Sequence, residues 1–266
     1  MLDLTKLKEE LTPSKKEEQD LERKVKQIIK KIQTKLKEAK IITGGSYAKG
    51  TWLKNKHDID IFAQFKTEKD ISNKLEKALK KTFKKVQRIH GSRDYFQVKQ
   101  NNLEIEIVPV LKITNPEKAK NITDISHLHV DFVRTNTDED LRNEIRLAKQ
   151  FFRAQHLYGA ETYIKGFSGY VLELLVIYYG SFFNLIRAMK DWKKGDYIYF
   201  NKKETLNPSK EGNLNLLDPV QEQRNAAAAL SHEKFLEAKK TAEKLYLGPS
   251  KAMFEEKTTP LEKIFK

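Results

Sequence analysis

Two aspartates one residue apart, Asp58 and Asp60, sit in "DIDIFAQF" (58–65), and two glutamates, Glu104 and Glu106, sit in "LEIEIVPV" (103–110). Both stretches alternate apolar and polar residues, which predicts strands with each acidic pair on one face. Like charges on one strand face repel, and a cation between them relieves the cost. Oxygen-only ligands suit Mg²⁺, which is commonly held by a few carboxylates together with substrate phosphates. Two such ions would activate an attacking hydroxyl and stabilise a leaving pyrophosphate. Asp58 and Asp60 supply one pair, and Glu106 or Glu104 the third carboxylate. Upstream, Gly44-Gly45-Ser46 forms a turn whose glycines let backbone approach a phosphate. A helix beginning at Tyr47 would aim its free N–H groups at an anion, with the Ser46 hydroxyl and, one turn on, the Lys49 ammonium beside them. Singly these signals are weak, since a D-x-D strand is most often a solvated face. Their order within 70 residues is the stronger signal.

The elements that must carry these groups follow from periodicity. Residues 14–39 predict one long helix, with Ser14 and Glu17 as a capping box and Leu21, Val25, Ile28, Ile29, Ile32 and Leu36 as its apolar stripe. Strands are expected near 40–43, 58–65, 84–90, 94–100 and 103–111, a lysine-rich helix near 69–82, and a hairpin turn at Asn101-Asn102. From about 137 the pattern becomes helical, with Thr137 and Asp140 resembling a cap. The apolar run "YVLELLVIYYGSFFNLI" (170–186) contains Glu173, Gly180, Ser181 and Asn184 and is short for a span, so it reads as a buried helix pair. "DYIYF" (196–200) and "LNLL" (214–217) are expected to pair as a hairpin, and a last helix starts near Ser231. This gives an α+β fold: residues 1–130 with a small mixed or antiparallel sheet and flanking helices, then a mostly helical part over 131–266.

The chain has 266 residues, 39% hydrophobic and 33% charged, as soluble globular proteins have. With no cysteine, it excludes disulfides, thiolate metal sites and cysteine nucleophiles, and a cytoplasmic setting is compatible. Its charge of +14 favours a polyanion, nucleic acid first.

The order strand, G-S turn, D-x-D strand, hairpin, acidic strand resembles the nucleotidyltransferase superfamily that includes DNA polymerase β. "GGSYAKGTWLKNKHDIDIF", "EIVPV", "HLYGAETYIKGFSGYVLELLVIYYGSF" and "LLDPVQEQRNAAAALS" together resemble the archaeal, class I CCA-adding enzymes, tRNA nucleotidyltransferases. The resemblance implies a polymerase β-like palm over 1–130 and a helical nucleotide- and tRNA-binding domain over 131–266. It implies addition of C, C and A to tRNA 3′ ends from CTP and ATP without a template. By resemblance Asp58, Asp60 and Glu106 bind Mg²⁺, and Gly45, Ser46 and Lys49 hold the triphosphate. His129, Lys149 and Tyr158 contact the nucleotide, and Arg224 helps select the incoming base.

Glu106 and Lys49 stand where the family has aspartate and commonly arginine, the latter exchanging a fork for a point charge. The chain stops at "TTPLEKIFK", so the resemblance implies that a C-terminal body and tail gripping the TΨC corner are missing. Recognition is then expected to rest on the acceptor stem, with minihelices working nearly as well as tRNA. A homodimer is a further expectation, and the alternative reading is one half of a split enzyme whose partner chain supplies the tail, or an RNA-binding remnant. Blander roles exist for several residues: Lys149 as a solvated helix lysine, Tyr158 and Trp52 as packing, and Arg224 as a local cap before "NAAAALS", a helix-forming run. His127 and His129 form an H-x-H that would suggest zinc only with further ligands.

Overall fold

The computed structural model describes residues 3–54, 56, 58–91, 93–201 and 203–256, and the tail "TTPLEKIFK" lies outside them. The chain divides into two compact units. One spans Pro13–Thr135, and the other joins the residues up to Thr12 to those from Asn136 onward.

In the first unit the capping box holds as expected. Ser14 caps helix α2 (Lys15–Lys35), its hydroxyl accepting from Glu17 N while the Glu17 carboxylate accepts from Ser14 N. A helix not expected from the sequence, α1 (Leu4–Leu11), precedes it; Asp3 caps it, and it belongs to the second unit. Five strands follow: β1 (Ala39–Thr43), β2 (Ile59–Phe65), β3 (Gln87–Ile89), β4 (Tyr95–Gln100) and β5 (Leu103–Leu111). They form a mixed sheet in the order β1-β2-β5-β4-β3, antiparallel except for the central β2–β5 pair. Asn101 and Asn102, at φ 53° and 61°, make the β4–β5 turn.

Period-2 alternation sorts β2 between two layers. Ile59, Ile61 and Ala63 are fully buried, and they join the stripe of α2 and Ile71, Leu75 and Leu79 of α4 (Ile71–Lys80) in one core. Asp60 and Phe62 face the other side, where α3 (Gly45–Lys49) and α5 (Ser126–Thr135) lie. The link from β5 to α5 is pinned by Asp124. Its fully buried carboxylate accepts from Leu111 N (2.8 Å), Asn121 N (3.1 Å) and Lys120 N (3.2 Å), and it pairs with Arg93 at 2.9 Å. Removing one partner of a buried pair strands the other. Asp124→Ala is expected to lower unfolding stability by about 3–5 kcal/mol, measured by urea denaturation; a loss under about 1 kcal/mol would contradict this role.

The second unit is mostly helical: α6 (Glu139–Ala154), α7 (Gly169–Tyr179), α8 (Phe182–Met189) and α9 (His232–Leu247), with α1 packed on α6. The cap of α6 is Asp138, whose side chain accepts from Leu141 N, and not Thr137 or Asp140 as the sequence suggested. The apolar run is the expected helix pair, bent by 95° where Gly180 closes α7 and Ser181 caps α8. Among the described residues no single helix is long and apolar enough to cross a membrane.

The expected hairpin is corrected. β6 (Asp196–Ile198) and β7 (Leu214–Leu216) pair parallel. The long connection between them permits a crossover, and Asn215 ties it down by donating to Gly195 O (2.9 Å) and accepting from Gly212 N (2.8 Å). "NAAAALS" is also corrected: it forms turns and not a helix, with the Asn225 side chain accepting from Ala227 N.

Candidate active site

The first unit gathers a glycine turn, an aspartate and a glutamate. The loop after β1 enters α3 at Gly45, two residues before the expected Tyr47, and α3 is only five residues long. Gly45 has φ +56°, which suits glycine. A methyl there would lie 2.6 Å from the Asp60 Cγ and closer still to Oδ2. Gly44 N donates to Asp60 O at 2.8 Å, so backbone and side chain of Asp60 both lie against the turn. In the parallel ladder Asp60 is the register partner of Glu106, which places the two side chains as neighbours on one face. Glu106 accepts from Gln97 Nε2 at 2.8 Å. Glu104 is instead register partner of Lys99 and ion-paired with it, both largely exposed. Asp58 is exposed one residue before β2.

Among the described residues, no three Asp, Glu or His side chains stand ready to hold a metal ion. The donor set nonetheless fits a hard divalent cation in kind. Its oxygens are all carboxylate, the register sets Asp60 beside Glu106, and Asp58 precedes Asp60 by the two residues that keep strand side chains on one face.

Lys49 is 7% exposed, and His129, also 7%, lies on the buried side of α5, which packs on α3. Trp52 is buried in packing, its blander role. His127 donates from Nε2 to the backbone at Ile113 O (3.0 Å).

In the second unit, Lys149, Tyr158 and Arg224 all approach the first turn of α7. A methyl on Gly169 would meet Tyr158 Oη at 2.7 Å and Lys149 Cε at 3.7 Å. Lys149 is 3% exposed and pairs with Glu173 of α7 at 2.7 Å, so the solvated-lysine alternative is excluded. Burial holds its ammonium below the ordinary lysine range, and Glu173 opposes that shift. Tyr158 lies under the Arg153 guanidinium at 4.1 Å. Arg224 pairs with Asp218, which also accepts from Tyr170 Oη at 3.0 Å and Val220 N at 2.9 Å. Burial, then the Asp218 carboxylate, holds the Tyr170 phenol well above its usual range.

Glu173, Asp218 and Tyr170 are thus partners of the candidate residues, and their pairing is not evident from the sequence. A lone glutamate in "YVLELLVIYY" was the available signal, because such a charge needs a buried partner. Lys149→Met is expected to cost about 3–5 kcal/mol by stranding Glu173, and Lys149→Met/Glu173→Leu to recover most of it. Additive losses in urea unfolding would contradict the pairing.

Residues 25–149 match the nucleotidyltransferase domain family, and residues 143–255 match the second domain of tRNA nucleotidyltransferases. Over 207 residues the chain is 42% identical to the CCA-adding enzyme of Nanoarchaeum equitans, covering 73% of this chain and 52% of that one. It is 33% identical to the CCA-adding enzyme of Methanocaldococcus jannaschii, covering 96% and 61%. The chain belongs to the family of archaeal CCA-adding enzymes. It spans about half the length of the curated relatives it matches. In this family the glycine turn, Asp60 and Glu106 fall within the nucleotidyltransferase domain, and Tyr158, Glu173, Asp218 and Arg224 within the second domain. The fold is also that of Cid1, an RNA terminal uridylyl transferase, with a TM-score of 0.76 at 11% identity over 96% of this chain and 98% of that one. Escherichia coli CdnC with ATP gives 0.67 at 18% identity over 93% and 92%.

Proposed function

We propose that the chain is a template-independent nucleotidyltransferase that adds or repairs the 3′-terminal CCA of tRNA from CTP and ATP. The observation that carries this is the placing of Asp60 against the Gly45 turn and beside Glu106, in a chain of the CCA-adding family. The tRNA 3′-hydroxyl attacks the α-phosphate in line; a new phosphodiester forms and pyrophosphate leaves. Gly45 leaves room for the Asp60 carboxylate against the turn, and Ser46 donates its hydroxyl to the triphosphate. First-turn N–H groups of α3, which have no partner within the helix, add donors. Lys49 supplies positive charge beside this turn. Asp58, Asp60 and Glu106 would hold Mg²⁺, which when bound activates the attacking hydroxyl and neutralises charge developing on the phosphates. Gln97 orients Glu106 through its hydrogen bond. In the second unit Lys149 and Tyr158 border the first turn of α7 as nucleotide contacts. Asp218 fixes the guanidinium of Arg224, which reads the base.

The two strand glutamates separate in this account. Pyrophosphate release dependent on tRNA is expected to fall at least ~100-fold in Glu106→Gln, and to stay near wild type in Glu104→Gln, whose partner is the exposed Lys99. The reverse ranking would contradict the assignment.

A further inference from the structure

Two segments of the first unit hold most of the chain's excess charge. Residues 24–40 and 66–85 together carry fifteen lysines against four acids, eleven of the fourteen net positive charges. They are the C-terminal half of α2 with its exit, and α4 with its flanks. Both helices pack their apolar stripes on the Ile59–Ile61–Ile107 face of the sheet, so their outer surface lies on the side of the sheet opposite Asp60 and Glu106.

Lys30, Lys31, Lys35, Lys37, Lys77, Lys81, Lys84 and Lys85 are all exposed there. Their neighbours Lys26, Lys74 and Lys80 are paired with Glu22, Glu38 and Glu76 at 2.6–2.7 Å. Those eight have no ion pair among the described residues. A shallow hollow on α2 is rimmed by Lys26, Lys30 and Lys37 and floored by Ile29. Helix dipoles explain lysines in last turns and at C-caps, here Lys35, Lys77 and the C-cap Lys81, but not Lys30, Lys31, Lys37, Lys84 or Lys85. A solvated face would interleave acids, as the first turns of α2 do with Glu17, Glu18, Asp20 and Glu22.

The chemistry of the face selects its partner. It presents point charges without a free arginine fork, which suits phosphate oxygens and carries no base readout. No aromatic side chain is exposed on it among the described residues, so it offers no platform for unstacked bases. We infer that the outer face of α2 and α4 is a second docking surface, for the phosphate backbone of double-helical RNA, distinct from the face that presents Asp60 and Glu106. Only the choice of RNA over another polyanion rests on the proposed function. The surface would capture an RNA arm by a sequence-independent, salt-sensitive contact and leave the 3′ end to the other face.

The test uses a fully paired RNA hairpin with a blocked 3′ end, which no extension reaction can use, so its outcome is separable from that of the proposed reaction. Binding is followed by fluorescence anisotropy across salt concentrations for the whole chain. Two variants, Lys30→Gln/Lys31→Gln/Lys35→Gln/Lys37→Gln and Lys77→Gln/Lys81→Gln/Lys84→Gln/Lys85→Gln, are compared with a net-charge control carrying glutamine at Lys193, Lys194, Lys240 and Lys244. Each variant is expected to bind the hairpin at least ~10-fold more weakly than the control at low salt, with the slope of log K against log salt shallower by ~0.9 for every phosphate that is no longer neutralised. Variants that bind no more weakly than the control, or wild-type chain that binds phosphatidylserine vesicles in preference to the hairpin, would overturn the inference.

Discussion

Asp60→Asn is expected to abolish nucleotide addition while leaving the fold intact. Asparagine keeps the shape of the side chain, so the parallel β2–β5 ladder and the hydrogen bond from Gly44 N to residue 60 O persist. What goes is one of two neighbouring negative charges, and with it the carboxylate best placed to hold a cation against the glycine turn. The expected fall in kcat is on the order of 10³ or more, about 4 kcal/mol of lost transition-state stabilisation. In the absence of cation the substitution relieves repulsion between Asp60 and Glu106. The melting temperature should therefore hold or rise slightly, which separates loss of chemistry from loss of structure. Turnover at the wild-type rate would show that the reaction runs elsewhere.

Gly45→Ala should produce a smaller but still large loss by a different route. The residue sits at φ +56°, where a Cβ costs about 1–2 kcal/mol. The added methyl would also overlap the Asp60 carboxylate, so that side chain must move. A displacement of about 1 Å in a reacting constellation costs ~100-fold, and a loss of that size in kcat/KM is expected with only a small drop in melting temperature. Gly44→Ala is the informative comparison. Its methyl would meet the Phe62 ring, at 2.7 Å from Cζ, so its effect should be weighted toward stability. Equal activity in Gly45→Ala and wild type would mean that the turn does not bound the site.

Local signals carried much of this arrangement. Alternation in "DIDIFAQF" and "LEIEIVPV" located both central strands and the face bearing Asp60 and Glu106, because strand periodicity is written residue by residue. The capping box at Ser14 and the paired asparagines at the β4–β5 turn were legible for the same reason. Contacts between distant segments were not. Nothing near Glu106 reveals that its parallel register partner is Asp60, since that pairing depends on the whole sheet, whereas the two-residue turn itself sets Glu104 opposite Lys99. Lys149 on a helix gave no sign of Glu173 twenty-four positions on, and Asp138 displaced Thr137 as cap because both are good N-cap residues side by side. The parallel direction of the β6–β7 pair is not legible locally, because two short strands around a polar stretch suit either direction and only the asparagine contacts across the crossover decide.

The most direct measurement of the central claim incubates the purified chain with Mg²⁺ and a tRNA lacking its last three nucleotides. CTP, ATP or both are supplied, and products are resolved at single-nucleotide resolution. Two additions are expected with CTP alone, and a third only when ATP is also present. No extension of this tRNA under any of the three conditions would contradict it.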